Sequence, residues 1–350
     1  MLAGSSVEIL AVVKADAYGH GMKEIVKALQ REDVHFFGVA NLEEALELRR
    51  AVGSEPKILV LGSFRKEDLA HCVRAKLTPT ISSLEEAREL AHGLKKPLSV
   101  HVKIDTGMGR LGVWHRQAEN FFNALKKWGD KVLVEGVYTH FSSADNDRRR
   151  TRAQIKLFNE AVHEIKKLGF SPRYLHAANS AGLARFKGSH LNLARPGILL
   201  YGIMPGKSGQ SQGDLSPILQ LKTRISFLKD LEKGRTVSYG STWKAPRHTK
   251  IATLPVGYSH GYRRGFSNKG QVAIRGRLCP VVGRVTMEQT RVDVGSLPSV
   301  KRWDEVTLIG RDGKTELTAS ALAAWAGTIP YEIFCSIHQR IPRVYKGIRP

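Results

Sequence analysis

Cysteine is scarce in this sequence, and its few cysteines are far apart. The 350 residues include only Cys72, Cys279 and Cys335, an odd number with no CxxC pair and no neighbouring histidine cluster. This pattern argues against a disulfide framework and against a zinc site, so we expect no metal. Isolated cysteines are typical of proteins from a reducing compartment, and we expect a cytoplasmic location.

Long apolar runs are lacking as well. No stretch of about 18 apolar residues occurs, so the sequence predicts no membrane span. The first six residues carry no basic group and lead straight into an apolar segment that ends at Lys14, which argues against a cleaved signal peptide. The length instead favours one large domain followed by a smaller one.

Acidic residues are few relative to basic ones. There are 55 Lys and Arg against 32 Asp and Glu, a formal net charge of +23. Nucleic-acid binding is one interpretation of this excess. However, the basic residues are spread over the whole chain, and no aromatic platform accompanies the single dense run at 148–152 (Arg-Arg-Arg-Thr-Arg). We therefore expect a solvated basic surface and no nucleic-acid partner.

Short apolar runs alternate with amphipathic segments over the first part of the chain. The candidate strands are 10–14, 36–39, 58–61, 78–81, 98–104, 132–139, 174–177 and 191–195. The candidate helices are 22–31, 42–52, 66–75, 83–93, 117–128 and 152–168, and Ser83 with Glu86 has the form of a capping box. Eight β-α units over about 200 residues predict an α/β fold with a parallel (β/α)8 barrel.

The periodicity changes after a Gly-, Ser- and Gln-rich segment at 205–217, which we interpret as a linker. Alternating patterns then predict strands at 219–228, 250–255, 271–274, 280–285, 289–294 and 305–308, with one helix at 318–326. The sequence thus predicts a barrel domain at 1–210 and a mainly antiparallel β domain at 211–350.

Polar residues follow the carboxyl ends of most predicted barrel strands, where barrel enzymes hold their chemistry. These residues are Lys14, Tyr18, Lys103, Asp105, Arg110, His140, Asn179, Ser180, Arg195 and Gly197. Each has a structural alternative: Lys14 can be a snorkelling lysine at a strand end, and His140 can be a core histidine. That so many strand ends are polar favours a functional site.

A lysine near a phosphate cradle points to pyridoxal phosphate (PLP). The hydroxyl of Ser180 and the glycine after the last strand are typical of such a cradle, and no Rossmann or P-loop pattern is present. The amine of Lys14 can form a Schiff base with the PLP aldehyde, and the ring then serves as an electron sink.

A series of specific motifs covers nearly the full chain. In order they are residues 11–21 (AVVKADAYGHG), 103–110 (KIDTGMGR), 178–180 (ANS), 195–197 (RPG), 256–258 (VGY), 283–285 (GRV) with Met287, and 330–332 (PYE). The set resembles the alanine racemases, which are homodimeric PLP enzymes of fold type III. The resemblance implies interconversion of L- and D-alanine, with D-alanine supplied for peptidoglycan.

The resemblance also implies a role for each site residue. Lys14 would carry the cofactor and act as one catalytic base, and Tyr258 of the second subunit would be the other base on the opposite face. An unperturbed tyrosine has a pKa near ~10, so Tyr258 would need cationic neighbours. Arg110 and Met287 would bind substrate, and Lys103 would be the lysine that is often carbamylated. The cofactor-binding residues would be Lys14, Tyr18, Ser180, Gly197, Ile198, Tyr331, Arg195 facing the pyridine nitrogen, and His140 hydrogen-bonded to Arg195.

The sequence departs from the family pattern in three places. The family has a strand and a helix before the lysine motif, whereas only 13 residues precede Lys14 here. We therefore expect all eight barrel strands but a missing leading helix. The family's usual Ala-Asp after Gly-Tyr is replaced by Ser259-His260, and Glu288 stands where aspartate is usual.

Other functions remain alternatives. A serine or broad-specificity racemase could use the same scaffold. A non-catalytic PLP-binding barrel is a different class, but such proteins lack a β domain that carries Tyr258. DNA retention measured across salt concentrations would test the nucleic-acid interpretation, which depends on charge alone.

Overall fold

A computed structural model describes residues 2–206 and 215–347. The chain divides into two compact units. The first is formed mainly by residues up to 216, and the second by residues 217–346 together with Tyr18–His20. The domain boundary predicted between residues 210 and 211, and most of the predicted linker, lie outside the described residues.

The first unit contains the eight predicted barrel strands. They are β1 (Glu8–Val12), β2 (Phe36–Val39), β3 (Lys57–Val60), β4 (Thr78–Ile81), β5 (Leu98–Asp105), β7 (Val132–Tyr138), β8 (Tyr174–His176) and β9 (Leu193–Ala194), and the two-residue strand β6 (Val113–Trp114) is added to the edge of β5. All pairings are parallel, in the order β8-β7-β5-β4-β3-β2-β1-β9. A parallel bridge between Asn179 and Arg195 connects the two ends. The sheet is therefore a nearly closed barrel, as predicted.

Helices follow the strands, and the periodicity predicts all of them except the short helices at Lys14–Gly19 and Ser180–Arg185. They are α1 (Lys14–Gly19), α2 (Met22–Arg31), α3 (Leu42–Val52), α4 (Leu69–Arg74), α5 (Leu84–Gly93), α6 (Ala118–Leu125), α7 (Arg148–Lys167) and α8 (Ser180–Arg185). The apolar faces of α5, α6 and α7 pack on the strands in a core that includes Leu90, Phe122, Phe158 and Ile165. The arginines of the run at 148–152 are exposed at the start of α7.

The predicted capping box at Ser83 is present in altered form. Ser83 Oγ accepts the Glu86 N–H at 3.1 Å, but the Glu86 carboxylate accepts the N–H of Ser82 at 2.6 Å. Both bonds satisfy amide groups at the start of α5 that have no partner within the helix.

The second unit is mostly antiparallel β structure. Its strands are β10 (Leu221–Arg224), β11 (Phe227–Leu231), β12 (Thr236–Val237), β13 (Trp243–Lys244), β14 (Thr249–Leu254), β15 (Gln271–Ile274), β16 (Arg277–Pro280), β17 (Thr290–Asp293), β18 (Glu305–Asp312) and β19 (Thr315–Leu317). They form sheets in the orders β10-β18-β15-β16 and β11-β14-β17, with the β12–β13 hairpin separate.

Three predictions for this unit need correction. The run 219–228 is two strands, and the strand predicted at 280–285 lies at Arg277–Pro280 instead. Gly283 has a φ of +72°, which ends extended structure in the predicted segment. The predicted helix is confirmed as α9 (Ala319–Ala326), but a second helix, α10 (Pro330–Cys335), was missed. Within the described residues no helix is long and apolar enough to cross a membrane.

Candidate active site

Lys14 begins a left-handed helical turn directly after β1. Residues Ala15 to Tyr18, between the predicted strand at 10–14 and the predicted helix at 22–31, have φ between +52° and +54°. This conformation costs about 1–2 kcal/mol per L-residue, so surrounding contacts must impose it. The Glu44 carboxylate accepts the N–H of Ala15 at 2.7 Å, and Asp16 Oδ1 accepts the N–H of Met22 at 2.7 Å. These bonds fix the backbone that follows the lysine.

Four cationic side chains surround the carboxyl ends of the barrel strands. The buried Lys103 amine has its pKa lowered from 10.5 to about 8, first by burial and then by the charges of Arg110, Arg195 and Lys14. Asp105 opposes this shift. Burial and the same cations hold the pKa of His140 well below its usual range, so this imidazole is neutral. The cluster is a strongly positive region suited to an anionic ligand.

Arg195 is buried and anchored by the ends of neighbouring strands. Its Nη2 donates to the Thr139 carbonyl at 2.6 Å, and its Nη1 lies 2.9 Å from His176 Nδ1. The guanidinium is 5.0 Å from the centroid of the Tyr138 ring. Burial lowers the pKa of Arg195 to about 10, so it remains a cation at neutral pH.

His176, rather than His140, is the histidine that holds Arg195. The hydrogen bond predicted between His140 and Arg195 is absent from the described residues, and His176 was not among the predicted site residues. His176 stacks on Tyr138 at a centroid distance of 4.7 Å, and its Nε2 lies 2.8 Å from His101 Nδ1. The position of His176 in β8, three residues before Asn179, was a signal that could have identified it.

The chain of contacts fixes the tautomers of both histidines. Burial holds the pKa of His176 well below its usual range and lowers that of His101 to about 3, so both rings are neutral. Because His176 Nδ1 accepts from the Arg195 guanidinium, its Nε2–H must donate to His101. His101 Nε2, which then carries the proton, is buried without a hydrogen-bond partner among the described residues.

Asp105 shapes the loop that carries Arg110. Its carboxylate accepts the N–H groups of Gly107, Met108 and Gly109 at 2.9–3.2 Å. Gly107 and Gly109 have φ of +125° and +68°, a region that favours glycine. The exposed Arg110 follows this tight turn, and its charge reaches Lys103.

Ser180 and the turn after β9, where the sequence predicts a phosphate cradle, are joined by hydrogen bonds. Ser180 Oγ accepts the N–H of Gly197 at 2.8 Å and that of Leu199 at 3.4 Å. Gly197 precedes a 3-10 turn at Ile198–Tyr201, so Ile198 lies between the two bonded amides. The Ser180 hydroxyl therefore joins the carboxyl ends of β8 and β9, the edge of the barrel at which the sequence predicts phosphate binding.

Two predicted phosphate ligands meet in the second unit. The rings of Tyr18 and Tyr331 have centroids 5.8 Å apart. Tyr18 is buried, and burial raises the pKa of its hydroxyl above its usual value, so it is a neutral donor. The Arg343 guanidinium donates to the Gly19 carbonyl, and the Tyr345 hydroxyl donates to the His20 carbonyl. These bonds fix the backbone that follows Tyr18.

Tyr258 and Met287 are neighbours on the surface of the second unit. Tyr258 begins a 3-10 turn. The Tyr258 N–H donates to the Thr286 carbonyl at 3.1 Å, and the Ser259 N–H donates to the Met287 carbonyl at 3.1 Å. A Cβ on Gly257 would lie 2.0 Å from the Thr286 oxygen, so glycine permits this close approach. The side chains of Tyr258 and Met287 are 45% and 55% exposed.

The residues of the first unit fit PLP. The cation cluster suits its phosphate and phenolate charges, and the Ser180 cradle suits the phosphate. Within the described ranges, Arg195 Nε makes no hydrogen bond, while both other guanidinium nitrogens are held by protein groups. An N–H donor thus remains for the ring nitrogen of a bound cofactor.

Two domain models of one family together match almost the whole chain. The sequence model of the alanine racemase N-terminal domain matches residues 1–205, and that of the C-terminal domain matches residues 218–345. The chain belongs to the alanine racemase family. It is an isomerase acting on alanine, and its cofactor is PLP.

Individual family members are similar over nearly their whole length. The alanine racemase of Geobacter sulfurreducens is 45% identical over 345 residues, covering 96% of this chain and 90% of that protein. The alanine racemase structure from Streptomyces coelicolor A3(2) matches with a TM-score of 0.92 at 31% identity, covering 99% and 93% of the two chains. That of Bacillus anthracis with bound L-Ala-P has a TM-score of 0.86 at 34% identity, covering 95% and 87%.

Proposed function

We propose that this protein interconverts L- and D-alanine by a two-base mechanism and supplies D-alanine for peptidoglycan. Lys14 is one base, and Tyr258 of a second copy is the other. The observation that carries the proposal is the buried cation cluster around Lys103 and Arg195, at the strand ends where Lys14 and the Ser180 cradle also lie. A homodimer with shared sites is supported by the exposure of Tyr258 and Met287.

Bound PLP supplies the electron sink that acidifies the α-hydrogen of alanine. The chain's own residues do the rest. Lys14 holds the cofactor and moves a proton on one face of the substrate, and Tyr258 moves a proton on the other. Because the two bases act from opposite faces, a proton is removed from one face of the α-carbon and returned to the other, which inverts the configuration of alanine.

Arg195 orients the cofactor ring through its Nε. Its pKa of about 10 remains well above neutrality, so Arg195 donates a hydrogen bond but gives up no proton. His176 and the Thr139 carbonyl keep the guanidinium in this orientation. Tyr18, Ser180, Tyr331 and the amides near Gly197 and Ile198 bind the phosphate in this proposal.

Lys103 is proposed to be carbamylated. Carbamate formation requires a neutral amine, and burial among cations lowers the pKa of Lys103 to about 8. The modification replaces a buried positive charge with a negative one beside Arg110 and Arg195. It therefore relieves repulsion in the cluster and gives Arg110 a partner that can orient it toward the substrate. Met287 contributes its N–H to the substrate carboxylate.

A cytoplasmic location completes the proposal. Cys72 and Cys279 are buried thiols whose pKa burial raises to about 11. Thiols kept in this unreactive state suit a reducing compartment.

The test is chiral analysis of the products formed from L-alanine and, separately, L-serine by the PLP-loaded protein. We expect D-alanine as the preferred product, and loss of turnover in the Lys14→Ala variant. Faster racemisation of serine would show that the protein is the alternative serine or broad-specificity racemase. PLP binding without turnover of either substrate would overturn the proposal in favour of a non-catalytic cofactor carrier.

A further inference from the structure

Residues that depart from the family pattern lie in contact next to Tyr258. Ser259 and Glu288 are 29 positions apart, yet Ser259 Oγ lies 3.0 Å from Glu288 Oε1. His260 Nε2 lies 3.4 Å from the other Glu288 oxygen. Because Ser259, His260 and Glu288 meet at one point, they form a single local arrangement in place of the usual family residues.

Arg340 connects this group. Its Nη2 donates to Ser259 Oγ at 2.5 Å and to the two Glu288 carboxylate oxygens at 3.0 and 3.2 Å. The Arg340 and Ser259 contacts hold the pKa of Glu288 below its ordinary value, so the carboxylate is ionised at neutral pH. One guanidinium nitrogen therefore joins two segments of the chain, Ser259 and Glu288.

The same contacts press the Tyr258 turn onto the Met287 segment. Met287 O accepts the Ser259 N–H at 3.1 Å and lies 2.7 Å from Ser259 Oγ. His260 closes the turn from the other side, because its Nδ1 accepts the Gly257 N–H at 3.2 Å. Tyr258 itself has a half-exposed ring, so its position depends on how firmly its backbone is held.

We propose that Ser259, Glu288 and Arg340 form a clamp that positions Tyr258 for proton transfer. The inference rests on the proposed function, since that function makes Tyr258 a base. Glu288 and Arg340 are half-exposed, and exposed ion pairs contribute little to global stability. The clamp therefore acts on the local geometry of the turn, and its three residues are positioning residues for Tyr258.

Amide hydrogen exchange in the PLP-loaded protein tests the clamp directly. The variants are Ser259→Ala, Arg340→Lys and Glu288→Asp, the last of which shortens the carboxylate's reach by one methylene. Arg311→Lys is the matched control, because Arg311 forms an exposed ion pair with Glu316 elsewhere in the same unit. We expect faster exchange confined to peptides that contain Tyr258 and Ser259, with the control unchanged. Equal exchange in clamp variants and control would overturn the proposal.

Substrate α-hydrogen exchange in D2O tests the consequence for catalysis. Since each base serves one enantiomer, a misplaced Tyr258 should leave deuterium incorporation into one alanine enantiomer intact. Incorporation into the other enantiomer and interconversion should both fall by about ten- to a hundredfold, the effect of a displacement near 1 Å. An equal fall for both enantiomers would contradict positioning through Tyr258.

The two experiments separate the clamp from the proposed function. If the unmodified protein does not racemise alanine, the proposed function fails, whereas amide exchange still shows whether the clamp holds the turn. If racemisation is present but amide exchange at the turn is insensitive to Arg340→Lys, the clamp fails alone.

Discussion

At the residue scale, the orientation of Arg195 depends on His176. The imidazole accepts from the guanidinium and donates to His101, so one side chain satisfies two buried polar groups, and it also stacks on Tyr138. Burying a polar group without a partner costs about 1–3 kcal/mol, which makes His176 important for stability as well as for orientation.

We predict that His176→Leu lowers the free energy of unfolding by about 2–4 kcal/mol, because it leaves an Arg195 N–H and His101 Nδ1 without partners. Urea denaturation of the two proteins measures this difference. His163→Leu on the exposed face of α7 is the control and should change stability by less than about 0.5 kcal/mol. A His176 variant as stable as the control would contradict the structural role of the histidine pair.

The amine of Lys103 provides a pH-dependent prediction. A lysine pKa near 8 means that the neutral amine, which reacts with CO2, becomes dominant as pH rises through 8 rather than through the usual value of 10.5. With 13C-labelled bicarbonate, we expect a carbamate NMR signal that is stronger at pH 8.5 than at pH 6.5.

Lys103→Met should abolish the carbamate signal, whereas Lys131→Met, which changes a lysine that donates to the Ala91 carbonyl, should leave it unchanged. A signal that persists without Lys103 would assign the modification to another amine.

At the element scale, strand β7 makes room for His101. The β5–β7 register shifts between Val100 and His101, and Gly136 lies opposite His101. A Cβ on Gly136 would lie 2.5–2.7 Å from the His101 ring atoms, so the strand needs glycine here despite its low strand propensity.

We predict that Gly136→Ala destabilises the protein by about 1–3 kcal/mol through overpacking, measured as a lower denaturation midpoint. Gly129→Ala is the matched control, since Gly129 has helical dihedral angles and its added Cβ would meet only Lys126 O at 3.5 Å. The control should be neutral or slightly stabilising. Equal effects of the two substitutions would show that His101 is not tightly packed.

At the scale of the whole molecule, the two proposed bases belong to different units. Lys14 lies in the first unit and Tyr258 in the second. If each active site takes one base from each of two chains, a chain that lacks Lys14 and a chain that lacks Tyr258 are complementary.

We predict that Lys14→Ala and Tyr258→Phe proteins are each inactive but regain activity when unfolded together and refolded as a mixture. Random pairing makes about half of the dimers heterodimers, and each heterodimer has one intact site of two. About a quarter of wild-type activity should therefore return. Each variant refolded alone is the control. Absence of recovery, with heterodimers detected by mass spectrometry, would show that both bases come from one chain.

The sequence by itself determined the order of the barrel strands and the change to β structure in the second unit, and it selected candidate site residues. Apolar periodicity is local, so the eight barrel strands, α3 and α9 could be predicted from it. Lys14, Lys103, Ser180 and Arg195 could be selected because residues at parallel strand ends necessarily share one edge. Motif resemblance then supplied the second-unit residues Tyr258 and Met287.

Only the tertiary structure decided which side chains hold one another. The left-handed turn after Lys14 is made of L-residues whose local preference is against it, so distant groups such as Glu44 must impose it. Arg195 pairs with His176 rather than His140, and Arg340 joins Ser259 to Glu288. These are contacts between distant residues, and their geometry exists only after the chain has packed.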